Sequence, residues 1–179
     1  LGRIAWEGLA GPEDHAAALT WFRRAAERED GEACGWLGLA SQNGLGTTRD
    51  GAEAVRWYRL GAGRQDDFSR FRLALILLYG DDPAAGAAEA VGLLRAAVDD
   101  GYLPAMHRLG HVLLFHKHVA HDEAEAVRLV RAAAEGGNVA GQALYGWLLE
   151  CGRGLPVDEA AAVTWYRKAA EAGDGMAAR

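Results

Sequence analysis

The sequence predicts an all-α solenoid of about five helical hairpins. Three observations lead there: a side-chain pattern that returns every 36 residues, apolar positions at helical spacing within each repeat, and glycine or capping residues where the helices should stop. From Trp21-Phe22, steps of 36 reach Trp57-Tyr58, Leu93-Leu94, Leu129-Val130 and Trp165-Tyr166 without insertion or deletion. Two alanine columns keep the same step: Ala16, Ala52, Ala88, Ala124 and Ala160, and Ala18, Ala54, Ala90, Ala126 and Ala162. Asp14, Asp50, Asp122 and Asp158 align, with Gly86 in the remaining place. Leu1-Gly2, Leu37-Gly38, Leu73-Ala74, Leu109-Gly110 and Tyr145-Gly146 form a further column.

Residues 138–173 show how one repeat builds two helices. Asn138 caps the first, which carries Leu144, Tyr145 and Leu148 on its apolar face, and Gly152 and Gly154 end it in a tight turn. Asp158 caps the second, which carries Val163, Trp165, Tyr166 and Ala169 and is expected to stop at Gly173. Each capping side chain contributes about 1 kcal/mol. Both alanine columns read as points of close helix approach, and the aromatic pair as filler between hairpins. A large residue at Ala54 or Ala126 should cost ~1–3 kcal/mol by overpacking. One hairpin cannot bury both faces, so neighbours must stack. The array divides into a partial unit over 1–29, full units over 30–65, 66–101, 102–137 and 138–173, and the start of a further helix over 174–179.

Composition narrows the function. Half the chain is hydrophobic, enough to bury a core. The net charge of −6, with no basic block, argues against nucleic acid. The longest apolar run, Leu73 to Tyr79, is too short to span a bilayer. Cys34 and Cys151 imply no disulfide framework and read as small apolar side chains. The bacterial cytoplasm and the periplasm both stay open.

Particular residues carry a family resemblance. Leu144-Tyr145-Gly146, then Cys151-Gly152-Arg153-Gly154-Leu155-Pro156-Val157-Asp158, then Trp165-Tyr166-Arg167-Lys168-Ala169-Ala170-Glu171-Ala172-Gly173, resembles a full Sel1-like repeat of the tetratricopeptide type. The second unit, with Leu37-Gly38, Gly44-Leu45-Gly46, Asp50 and Trp57-Tyr58, is similar. The third and fourth units depart from the pattern, with Asp81-Asp82 and His116-Lys117-His118 at the glycine turn and an aliphatic pair in place of the aromatic one. The resemblance implies a right-handed superhelix that acts as an adaptor for a protein or peptide. It also implies contexts that include bacterial signalling, secretion and toxin immunity.

It further implies that the first helix of each hairpin lines a concave groove. The family's groove positions fall on Arg3, Trp6, Leu39, Gln42 and Asn43. They also fall on Phe68, Phe71, Leu75, Leu78 and Tyr79, on His107, His111, Leu114 and Phe115, and on Trp147, Glu150 and Cys151. Many are large and apolar though the repeat does not require them, which marks an interaction surface. Phe68, Phe71, Tyr79 and Trp147 are the expected anchors. The uncapped ends of the array offer self-association as a further contact.

The arginine column Arg23, Arg59, Arg95, Arg131 and Arg167 suits the last part of each second helix, with Glu27, Glu135 and Glu171 four residues on. His107 and His111 share a helix face, and His116, His118 or Asp122 could complete a metal site. This gives an alternative reading as a metal-binding or metal-dependent hydrolase module centred on His107–His121. The sequence lacks a His-Glu-x-x-His motif, a Gly-x-Ser-x-Gly elbow and a Walker motif, and position 49 breaks any dinucleotide loop at Gly44-Leu45-Gly46. The expectation is a non-enzyme without cofactor.

Overall fold

The computed structural model describes residues 2–7 and 14–177, all in helices or their connections. Leu1 of the Leu-Gly column and Arg179 lie outside the described residues. The helices are α1 (Gly2–Trp6), α2 (His15–Ala26), α3 (Gly31–Asn43), α4 (Gly51–Gly63), α5 (Asp67–Tyr79), α6 (Pro83–Asp99), α7 (Leu103–Phe115), α8 (Glu123–Glu135), α9 (Val139–Cys151) and α10 (Glu159–Ala177). They form two compact units, Leu1–Asp82 and Pro83–Arg179. In the first, α2 packs on α1 and α3, and α4 packs on α3 and α5. In the second, α7 packs on α6 and α8, and α9 on α8 and α10. The first helices α3 and α5 also touch, as do α7 and α9.

Local chemistry sets these boundaries. Asp14, Asp50, Asp122 and Asp158 each accept a backbone N–H three residues on, at 2.8 Å, 2.9 Å, 2.8 Å and 2.9 Å. Asp30, Asp66 and Asn138 do the same for α3, α5 and α9. The residue before each first-helix cap lies in the left-handed region: Glu29, Gln65, Gly101 and Gly137, one every 36 residues. Where the aspartate column has Gly86, α6 instead starts early, at Pro83, whose fixed φ and missing N–H suit a first helical turn.

The Leu-Gly column has a steric cause. A Cβ on Gly38 would lie 2.6 Å from the Tyr58 ring, one on Gly2 2.6 Å from Phe22, and one on Gly110 2.5 Å from Val130. Phe22, Tyr58, Val130 and Tyr166, the second residues of their pairs, therefore pack on the backbone of their own hairpin's first helix. This corrects the expectation that the pair fills the space between hairpins. Tyr58 is fully buried there and donates its O–H to Gln42 Oε1 at 3.0 Å.

Three further expectations change. Only the Ala18 column is buried. The Ala16 column faces solvent, because a two-residue step turns a helical side chain by about 200°. α10 continues through Gly173 to Ala177, so the residues after 173 extend this helix instead of starting another. Gly173 lacks the positive φ of Gly137, and nothing lies within 4 Å of a Cβ placed on it. Of the cysteines, Cys34 is buried as expected but Cys151 is exposed. In the arginine column, Arg131 makes the i,i+4 pair with Glu135 at 2.8 Å, whereas Arg95 of α6 reaches Glu125 of α8.

Candidate functional site

The expected groove residues separate into three groups. Leu78 and Leu114 are each 1% exposed, so neither can meet a partner. The repeat explains why. They stand in the column of Gln42 and Glu150, which accept the hydroxyls of Tyr58 and Tyr166 at 3.0 Å and 2.6 Å. In the second unit, where Val130 stands in the tyrosine's place, the column holds Leu114, and both side chains are buried in that hairpin.

Trp6 forms the second group. It lies half-buried in an aromatic cluster, with ring centroids 4.5 Å from His15, 5.4 Å from Trp36 and 6.1 Å from Phe22. Its role there is packing.

Arg3, on α1, pairs with Glu7 at 3.3 Å, and most of the remainder form two faces, one in each unit. In the first unit Leu39, Phe68, Phe71 and Leu75 are half-buried and Tyr79 is 54% exposed. Gln42, Arg72, Leu75, Ile76, Tyr79 and Gly80 line a cleft of about 380 Å³. A larger cleft, about 610 Å³, opens among Trp21, Arg24, Arg28, Asp30 and Trp36. One repeat on, the equivalent seat is taken by α3. Gly31 and Gly35 lie against Arg64, Asp66 and Phe68, and Cys34 Sγ meets Arg64 Nη1 at 3.2 Å.

In the second unit the side chains form an aromatic ladder across α7 and α9. His107 and His111 lie 6.5 Å apart between ring centroids, His111 and Phe115 4.9 Å, Phe115 and Trp147 5.5 Å. The i,i+4 spacing on α7 puts the first three on one stripe. Phe115 is 40% exposed at its end. Arg153 closes the ladder, with its guanidinium 4.9 Å from the Phe115 centroid, while it donates to Glu123 Oε1 at 2.7 Å and to the Leu114 carbonyl at 2.9 Å. Burial lowers the His107 pKa to about 4, helped by the Arg108 charge, and burial also lowers that of His111. Both imidazoles are neutral at pH 7, so the ladder presents uncharged rings.

His116 and His118 pack edge to face in the following turn, 5.8 Å apart. Among the described residues, no group of three His, Cys, Asp or Glu side chains comes together to hold a metal. The expected ligand set of His107 and His111 with His116, His118 or Asp122 is therefore not assembled among the described residues. Sequence reasoning missed Arg72 and Arg153. The Arg72 column offered a partial signal, since the same place holds Trp36 and Leu144 in two repeats and Arg108 in another.

Helix pairs repeating every 36 residues, with first helices side by side, define a helical-repeat protein of the solenoid class. The Sel1 repeat matches at residues 1–30, 31–66, 68–102, 103–138 and 139–174, and the chain belongs to the Sel1 repeat family. Two solved structures superimpose on 97% of the chain with a TM-score of 0.86: a Sel1 repeat protein from Oxalobacter formigenes (25% identity, 69% of that chain) and a protective antigen of uropathogenic Escherichia coli with an SLR fold (29% identity, 39% of that chain). An immunity protein from Pseudomonas aeruginosa shares the fold alone, with a TM-score of 0.68 and 18% identity over 96% of this chain and 64% of that one. No curated protein sequence matches the chain. No described helix is long and apolar enough to cross a membrane.

Proposed function

We propose that the chain is a non-enzymatic interaction scaffold that holds a protein or peptide segment on the faces carried by its first helices. Sel1 repeat proteins are generally protein-interaction scaffolds, which supports the coarse reading. The observation that carries the finer one is the His107–His111–Phe115–Trp147 ladder. It is a contiguous stripe of rings, uncharged at neutral pH and open at Phe115, that the repeat pattern does not demand. Aromatic anchors of this kind dominate binding energy at interfaces. Phe68, Phe71, Leu75 and Tyr79 would give the first unit a comparable face. A non-enzymatic role agrees with the thiol of Cys34, whose pKa is raised by burial, which weakens it as a nucleophile.

The test places a photo-crosslinking phenylalanine at Phe115, at Tyr79 and, as a control, at the exposed second-helix position Arg128. A shared adduct should form from the first two sites and not from Arg128. Trp147→Ala should remove the Phe115 adduct while leaving the far-UV helical signal unchanged. Equal labelling from Arg128 would defeat the assignment.

A further inference from the structure

The cleft in the first unit contains an unmatched cation. Arg72 of α5 is half-buried, and its side chain is held from three sides. Nη2 donates to Gln42 Oε1, and the guanidinium lies 6.0 Å from the Tyr58 ring centroid and 5.8 Å from that of Phe68. Gln42 Oε1 also accepts the Tyr58 hydroxyl, so its carbonyl oxygen uses both lone pairs to hold the arginine and the tyrosine. None of these partners is an acid, and Arg72 makes no ion pair among the described residues. A half-buried arginine with no carboxylate beside it keeps charge-assisted donors for an anion.

The surroundings define what would complete it. Arg72 and Gln42 line the cleft together with Leu75, Ile76, Tyr79 and Gly80. The polar part of that lining offers N–H donors, since Arg72 keeps its remaining guanidinium N–H groups and Gln42 its amide N–H groups while the Gln42 oxygen is occupied. The rest is apolar. The equivalent places hold Trp36, Arg108 and Leu144, so arginine recurs in one other repeat and an apolar side chain stands in two.

From this geometry we propose that the cleft is a specificity site for an aspartate or glutamate side chain flanked by an apolar residue in a bound peptide segment. The carboxylate meets Arg72 and the Gln42 amide, and the apolar neighbour lies on Leu75, Ile76 and Tyr79. The site rests on the interaction-scaffold reading and adds to it the chemistry of the partner.

Two acetylated, amidated probe peptides test the site, Leu-Glu-Leu-Leu and Leu-Gln-Leu-Leu, titrated to millimolar concentration against protein whose arginine Nε–Hε signals are followed by NMR. A third probe, Leu-Gln-Leu-Leu with a free C-terminal carboxylate, separates a side-chain acid from a chain end. The glutamate peptide should shift the Arg72 signal and bind about tenfold or more tightly than the glutamine peptide, the fold-change of a charge-assisted hydrogen bond. Arg72→Gln should abolish that preference, and Arg72→Lys should keep part of it. If both capped peptides bind equally and perturb Tyr79 but not Arg72, the anion site is overturned while the scaffold reading stands. Tighter binding of the free-terminus probe overturns the choice of a side-chain acid. Absence of any shift with the glutamate peptide overturns the site outright.

Discussion

Gly38→Ala is the most exacting test of the packing, because two known effects oppose each other there. In an exposed helix interior, glycine to alanine stabilises by roughly 1 kcal/mol. At Gly38 the added methyl would lie 2.6 Å and 2.7 Å from two carbons of the Tyr58 ring. That ring cannot step aside. It is fully buried, its hydroxyl is tied to Gln42, and Phe68 packs edge-on at 6.3 Å. Overpacking of one methyl costs ~1–3 kcal/mol, so the net change should run from roughly zero to a loss of about 2 kcal/mol. Gly92, inside α6 with nothing within 4 Å of its added Cβ, is the matched control. Gly92→Ala should gain roughly 1 kcal/mol. Urea melts at constant m-value measure both. The repeat also suggests a rescue, since its third copy pairs Ala74 with Leu94 in place of glycine with an aromatic ring. Tyr58→Leu combined with Gly38→Ala should show a favourable coupling of about 0.5–3 kcal/mol. A Gly38→Ala protein as stable as Gly92→Ala would refute the reasoning.

Other outcomes follow from the same contacts. The His107 pKa, about 4 in the folded chain, lies below the ordinary 6.5, so the unfolded state binds the proton first as pH falls. Stability should therefore drop between pH 6.5 and pH 4 by up to about 3 kcal/mol from this group, and His107→Leu should remove that part of the slope in urea melts across the range. Ala54→Leu and Ala126→Leu, at fully buried positions, should each cost ~1–3 kcal/mol, whereas Ala52→Leu on the solvent side should change stability by less than about 0.5 kcal/mol. With a thiol reagent under native conditions, exposed Cys151 should react rapidly, and Cys34 only at the rate of opening. Fast labelling of both would contradict the burial of Cys34. Arg64→Ala removes Nη1 hydrogen bonds to the Ala26 carbonyl at 2.8 Å and to Cys34 Sγ, and should cost about 1–2 kcal/mol while speeding the slow thiol.

The helices and their caps were legible in the sequence because capping and turn geometry are local. Asp50 or Asn138 needs only the next three residues to do its work. Which side of a column faces inward was not legible. The Ala16 and Ala18 columns share one period and one residue type, and only the crossing of neighbouring helices separates them. Leu78 and Leu114 looked like groove residues for a related reason. The burial of Leu114 goes with that of Val130 sixteen residues on, a correspondence visible only once Gln42 and Glu150 are seen accepting from Tyr58 and Tyr166. The faces themselves were partly legible. The stripe His107, His111, Phe115 follows from helical spacing, but the approach of Trp147 and Arg153 requires the stacking of α7 on α9.

The left-handed joint at Glu29, Gln65, Gly101 and Gly137 has an evolutionary consequence. Every joint falls at the same phase and is followed at once by the start of a new helix. A gene duplication or deletion of one period therefore removes or adds a whole link and leaves each remaining seam intact. Array length can then change in steps while each link's surface varies on its own, which suits a scaffold that must acquire new clients without being rebuilt.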